Sequence, residues 1–198
     1  GGMEPLPGGS LVPLLRNTPD PCAELRGRAL LGRERHDNGR PGDQGYPIRG
    51  IVRDGWLYLC NLKPWLLPGG NPETGYRDID SSPTKTAILQ LRRSGMDSRY
   101  YELSMGLRPA EELYHVETDR ECLANRIGDV SCRILADSLR AELFRTLREQ
   151  DDPRMTGDGD VFDRYPYDKP GKDRIYERTV RGEIIPWKHS NWLPTDYE

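Results

Sequence analysis

His36, Asp37, Arg40, Asp43 and Arg49 are the residues of this chain whose types and spacing best suit chemistry on a polar ligand. Carboxylates and an imidazole exchange hydrogen bonds with hydroxyl groups, and a guanidinium can clamp a carboxylate or a sulfate with two parallel bonds. All five lie in the stretch Gly32–Arg49, whose eighteen residues hold four Arg, two Asp, one Glu, one His and one Tyr. An unpaired charge removed from water is costly, so this loop is expected to line a wet surface, a partner or a polar site rather than bury itself. Arg33, Glu34 and Arg35 read as solvent-facing. The plainer alternative is a solvated loop whose charges neutralise one another.

Other clusters carry less. Asp158, Asp160 and Asp163 place three carboxylates close together, but a calcium loop of the EF-hand kind needs further ligands and a closing Glu. Turn chemistry is the expectation there. His115 reads as a surface histidine in a strand. Trp187, His189 and Trp192 could form a stacking platform, though in so polar a tail they read first as anchors. Cys22, Cys60, Cys122 and Cys132 form no Cys-x-x-Cys pair and have no His at zinc spacing. Buried thiols are expected, with a Cys122–Cys132 bridge as the alternative, and the redox compartment stays open.

The elements that must position these groups are drawn from a thin apolar supply. Hydrophobic residues make up 35% of the chain and charged residues 31%, so the core must come from a few segments. Glycine and proline, 21 and 17 of 198 residues, predict many turns and irregular connections. A net charge of −3 with interleaved signs offers no global field for nucleic acid or an anionic membrane. No apolar run approaches the roughly 20 residues of a membrane span. The start Gly1-Gly2-Met3-Glu4-Pro5 has neither the basic nor the apolar region of a secretory signal and does not read as a natural beginning.

Residues 1–27 read as an irregular arm with an apolar knot at Leu11–Leu15, and residues 28–32 as a short strand. A β-hairpin is predicted from Tyr46 to Leu62 around Asp54-Gly55, whose positive φ angles suit a type I′ turn. Its aliphatic face (Ile48, Val52, Leu57, Leu59) is expected under a helix, leaving a face of Arg49, Ile51, Arg53, Trp56, Tyr58 and Cys60 open for stacking. Residues 63–82 read as a loop and Ser82-Pro83 as a helix start running to Gly95. A strand is predicted at residues 111–117 and the longest helix at residues 129–150. Ile134, Leu135, Leu139, Leu143, Phe144 and Leu147 make its apolar stripe. An extended tail anchored by Phe162, Trp187 and Trp192 should follow. The fold class is α+β: a small antiparallel sheet packed by a long helix.

Three stretches resemble the sulfatase family. Gly9-Ser10-Leu11-Val12-Pro13-Leu14-Leu15 is similar to a segment late in that family's large domain. Gly45-Tyr46-Pro47-Ile48-Arg49-Gly50-Ile51-Val52, with Trp56-Leu57-Tyr58-Leu59-Cys60-Asn61, resembles a hairpin of the heparan N-sulfatase (sulfamidase) branch. Glu112-Leu113-Tyr114-His115-Val116-Glu117-Thr118-Asp119, running on to Asn125, looks like the family's Glu-Leu-Tyr-Asp-Leu-x-x-Asp-Pro-x-Glu-x-x-Asn segment, with His115 and Arg120 as departures. Asp151-Asp152-Pro153-Arg154 resembles its close.

The resemblance implies an alkaline-phosphatase-like parent enzyme. Residues 1–45 would end its large domain and bear the rim loop, residues 46–152 would form the C-terminal subdomain, and residues 153–198 a tail. It implies a sulfuric ester hydrolase acting on a sulfated, heparan-like glycosaminoglycan, with calcium and formylglycine as cofactors of the parent. Its partners would be the glycan and an N-terminal catalytic domain, with no nucleic acid or membrane, and its place periplasmic, secreted or lysosomal. The chain has no Cys/Ser-x-Pro-Ser-Arg segment; Ser81-Ser82-Pro83-Thr84-Lys85 reads as a helix cap. Catalytic residues and metal ligands are therefore expected elsewhere, leaving this chain inactive alone, with His36, Asp37, Asp43 and Arg49 as substrate-binding candidates. A non-catalytic anionic-glycan-binding or structural module is the alternative.

Overall fold

Asp54 and Gly55 both adopt positive φ, 50° and 76°, as a type I′ turn requires. They join two strands of the fold, and the turn is tight: a Cβ on Gly55 would lie 3.2 Å from the Glu117 carboxyl carbon. The computed structural model describes residues 8–74, 78–167, 171 and 173–183.

In chain order the strands are β1 (Arg28–Arg33), β2 (Ile48–Arg53), β3 (Trp56–Asn61) and β4 (Glu111–His115). The helices are α1 (Val12–Leu15), α2 (Pro83–Arg93), α3 (Arg99–Ser104), α4 (Arg133–Glu149), α5 (Pro153–Thr156), α6 (Val161–Arg164) and α7 (Ile175–Val180). The class is α+β, with one antiparallel sheet in the order β1-β2-β3-β4. Between β3 and β4 the register runs from Trp56 opposite His115 to Cys60 opposite Glu111. No helix among the described residues is long and apolar enough to cross a membrane.

The described residues fall into two compact units. Those within 1–31, 49–60 and 111–159 form the sheet unit, and those within 32–48, 61–110 and 160–198 form the loop unit.

In the sheet unit, Ile51, Tyr58 and Leu113 pack against Cys132, Ala136, Leu139, Leu143 and Leu147 at the start and along α4, with Trp56 and Cys60 at the edge. This corrects the expected facing of the hairpin: α4 covers the Arg/aromatic face, not the aliphatic one. The physical reason is charge pairing. Glu142 on α4 takes Arg28 Nη1 and Arg53 Nη1, both at 2.5 Å. Glu111 receives the Tyr58 hydroxyl at 2.6 Å and Arg140 Nε at 2.5 Å. Burial, then the Glu111 carboxylate, holds the Tyr58 phenol protonated well above the usual tyrosine range. Once paired at the rim, the guanidinium groups no longer keep this face in water.

The stripe of α4 also differs from expectation. Ile134 is 86% exposed and Ala136 takes the inward position instead. The Asn125 side chain braces β4, accepting from Leu113 N at 2.9 Å and donating to Glu111 O. Asp119 caps the intervening turn through Leu123 N and Ala124 N. The cysteines are thiols, and no bridge joins Cys122 to Cys132. The knot at Leu11–Leu15 stays largely exposed.

In the loop unit, Leu89, Tyr101 and Met105 form a small core with Ile79 and Ile88. Ser82 Oγ accepts from Lys85 N, so α2 starts where Ser82-Pro83 predicts. Among the described residues the stretch expected as an extended tail forms α5, which belongs to the sheet unit, and α6 and α7, which belong to the loop unit. Asp152 caps α5 through Arg154 N at 2.8 Å, with Pro153 at its first position. The same cap-plus-proline signal that starts α2 starts α5. Phe162 meets Tyr165 edge-on at 6.1 Å. Trp187, His189 and Trp192 lie outside the described residues.

Candidate functional site

Asp78, in the long connection before α2, organises the charged loop. Its side chain is fully buried, and three cationic or polar groups converge on it. Arg40 Nη2 donates to Oδ2 at 2.7 Å and His36 Nδ1 meets Oδ1 at 2.5 Å. Arg33 Nη2 also donates to Oδ2. Burial pushes the Asp78 carboxyl up, but the bonds from Arg40 and His36 and the Arg33 charge outweigh it, so the group stays below the usual carboxylate range.

The loop is therefore not the wholly wet segment its composition predicts. Asn38 and Arg40 are 2% and 1% exposed. Two nitrogens of the Arg40 guanidinium are engaged: Nε donates to Leu67 O at 2.8 Å and Nη2 to Pro68 O at 2.5 Å as well as to Asp78. A buried cation with a carboxylate and two carbonyls has replaced its hydration, which removes the penalty that kept the loop outside. Arg33 and Arg35, expected to face solvent, are also engaged. Arg35 donates to the carbonyls of Asp163 and Tyr165.

A second brace comes from Asp163, at the end of the acidic cluster. It accepts from Gly45 N at 2.8 Å and from Lys63 Nζ at 2.7 Å. Gly45 is required here, because a Cβ would come within 2.8 Å of Arg35 N. Lys63 also reaches Gln44 Oε1 at 3.0 Å and Asp160 at 3.1 Å.

The four expected binding residues are anchored separately. His36 stands on Asp78 with 69% of its side chain exposed. Asp37 Oδ1 accepts from Asn38 N at 2.8 Å. Asp43 lines a cleft of about 450 Å³ with Arg35, Asn38, Tyr165 and Arg174. Its Oδ2 accepts from Arg174 N at 2.8 Å, while Oδ1 has no partner among the described residues. Burial pushes the Asp43 carboxyl up, partly opposed by that backbone bond. Arg49 belongs to the sheet unit, where its Nε donates to Asp152 Oδ2 at 2.6 Å and its side chain is 6% exposed.

A larger cavity of about 640 Å³ lies in the sheet unit, lined by Leu11, Leu30, Arg26, Arg28 and Thr146. Its two arginines are bound to Asp20 and Glu142, so it presents little for chemistry. Among the described residues no group of three or more His, Cys, Asp or Glu side chains could hold a metal ion. The chain also lacks a formylglycine precursor segment.

Asp78, Lys63 and Asp163 are the site residues that sequence reasoning missed. One signal did exist. Four Arg face only three carboxylates within Gly32–Arg49, so a buried part of that loop needs an acid from elsewhere. No family model matches the chain, and no curated protein matches it.

Proposed function

We propose that this chain is the C-terminal part of a sulfatase that removes sulfate ester or sulfamate groups from a heparan-like glycan, and that it contributes substrate recognition. The observation that carries the reading is the exposed His36 imidazole held on a buried carboxylate, in the charged loop that the resemblance would place at the rim of the parent's active site. An exposed side chain usually keeps its rotamer freedom. His36 has its Nδ1 fixed by a group that is itself held by two guanidiniums. A ring pre-positioned in this way contacts a ligand at little further entropic cost.

The hydrolysis itself needs a nucleophile, a cation on the sulfate oxygens and a proton donor to the leaving group. In this reading all three would belong to the catalytic domain of the parent, where the family's calcium and formylglycine would supply the cation and the nucleophile. His36, Asp37 and Asp43 hold the sugar around it. The hairpin face that would serve a purely glycan-binding module is covered by α4, with Arg53 on Glu142 and Arg49 on Asp152.

The deciding observation is the sequence encoded immediately upstream: a Cys/Ser-x-Pro-Ser-Arg segment there supports the reading, and its absence ends it. In the enzyme so defined, His36→Ala should lower kcat/KM on the glycan by roughly 10–1000-fold, or about 1.4–4 kcal/mol. Turnover of a small aryl sulfate, which has no sugar ring to hold, should change little. Equal loss on both substrates would place His36 in the scaffold instead.

A further inference from the structure

We infer that Asp78 is the positioning residue for His36: it binds the Nδ1–H and leaves Nε2 as a bare acceptor facing solvent, so the ligand group that His36 reads is a hydrogen-bond donor. On a sugar that means a hydroxyl or an amide N–H, and it excludes a sulfate or carboxylate oxygen. The tautomer half of this inference stands by itself; the ligand half rests on the sulfatase reading above.

Asp78 has no exposed side-chain surface, and two guanidiniums, from Arg33 and Arg40, share its Oδ2. A carboxylate held in this way is ionised and can only accept. The short contact from His36 to Oδ1 therefore requires the proton on Nδ1. A neutral imidazole carries a single N–H, so Nε2 keeps its lone pair. With most of the ring exposed, Nε2 has no partner among the described residues.

The charged groups around the ring are Asp78, Arg33 and Arg40, with Glu34, Arg35 and Asp37 beside it on its own loop. Asp78 carries one negative charge against two guanidiniums. Carboxylate-anchored histidines at metal sites use the same logic, where the outer partner fixes which nitrogen points at the ligand. Here the nitrogen points outward, and what it accepts is a proton-bearing group.

The test uses the full 198-residue chain with ¹⁵N-labelled histidine. Long-range ¹H–¹⁵N correlation at about pH 8, above the ordinary imidazole range, distinguishes the two neutral tautomers. There are three histidines, and the set missing from a His36→Gln spectrum belongs to His36. We expect His36 as the Nδ1–H tautomer in the native chain, and a shift towards Nε2–H in Asp78→Ala. A native His36 protonated on Nε2 overturns the inference, as does a folded Asp78→Ala chain with an unchanged tautomer. If Asp78→Ala does not fold, the native spectrum alone still decides.

For the ligand half, N-acetylglucosamine should move the His36 Nε2 resonance and inorganic sulfate should not. The reverse pattern, or no movement with the sugar, overturns it. The absence of the upstream nucleophile segment would end the sulfatase reading without touching the tautomer, so the two failures are separable.

Discussion

Arg49 and Asp152 face each other through two bonds, Nε to Oδ2 at 2.6 Å and Nη2 to Oδ1 at 3.2 Å, although 103 positions separate them in the chain. Side-chain exposures of 6% and 13% make this a nearly dry ion pair. It ties β2 to the turn that begins α5.

Loss of that fork should be felt as stability. Arg49→Lys keeps the charge but not the planar pair of donors, and is expected to cost about 1.5–3 kcal/mol. Arg49→Ala leaves the buried Asp152 carboxylate without its cation, with the Arg154 N–H still bonded to it, and should cost about 3–5 kcal/mol. Urea midpoints for the two variants check the order. A native-like midpoint for Arg49→Ala would mean the pair contributes nothing.

The inward and outward positions of α4 offer a sharp contrast. Leu139 is 2% exposed and Ile134 is 86% exposed. Leu139→Ala is expected to cost about 2–5 kcal/mol through lost burial and a residual cavity. Ile134→Ala should change stability by less than about 0.5 kcal/mol. Thermal melts of both chains decide. Similar shifts for the two would contradict the packing of the stripe.

Acid should unfold the sheet unit through Glu142 and Glu111. Burial pushes the Glu142 carboxyl up, but the bonds from Arg28 and Arg53 outweigh it and hold it below the usual range. For Glu111 the Arg140 bonds dominate and lower it likewise. A carboxylate lowered in the folded state contributes stability that is complete above its unfolded pKa, about 4.3 for Glu, and is lost as pH falls through the folded value. The melting temperature should therefore hold down to about pH 5 and fall below about pH 4. Glu142→Gln should melt earlier at neutral pH and show a shallower acid limb. An equally steep limb would assign the acid sensitivity to other groups.

The hairpin turn is the simplest backbone test. Gly55 has φ of 76° and only 3.2 Å between its would-be Cβ and the Glu117 carboxyl carbon. Gly55→Val is expected to destabilise by about 1–2 kcal/mol or more, from the left-handed backbone and the crowding together. Asp54→Asn, which tolerates the same conformation, should be nearly silent. Chemical denaturation of both variants provides the comparison.

Local signals in the sequence carried most of the sheet and both principal helices. Asp54-Gly55 forces the turn, Ser82-Pro83 starts α2, and the three- and four-residue steps around Leu139 and Leu143 locate α4. Facing and charge partnering were not legible in the same way. Nothing local to Arg53 announces Glu142, or local to Arg49 announces Asp152, so a strand face carrying two arginines read as wet. The candidate site shows the same division. His36 stands out by type, whereas Asp78 lies 42 positions on in an irregular connection with no periodicity to mark it. Long-range ion pairs are set by the tertiary fold, and a window of neighbouring residues does not contain them.

Cys60 and Glu111 are register partners on adjacent strands, so the chain that leaves β3 returns to β4 directly opposite its point of departure. For the sheet, everything from Asn61 to Ala110 is topologically equivalent to a hairpin turn. Loop-closure cost grows only slowly with the length enclosed. Such a joint tolerates cassettes: the intervening segment can lengthen, shrink or be exchanged during divergence while the strand ladder stays in step. Length changes between those two residues should therefore leave the strand ladder in step, provided that Lys63, Leu67, Pro68 and Asp78, which anchor the charged loop, are kept.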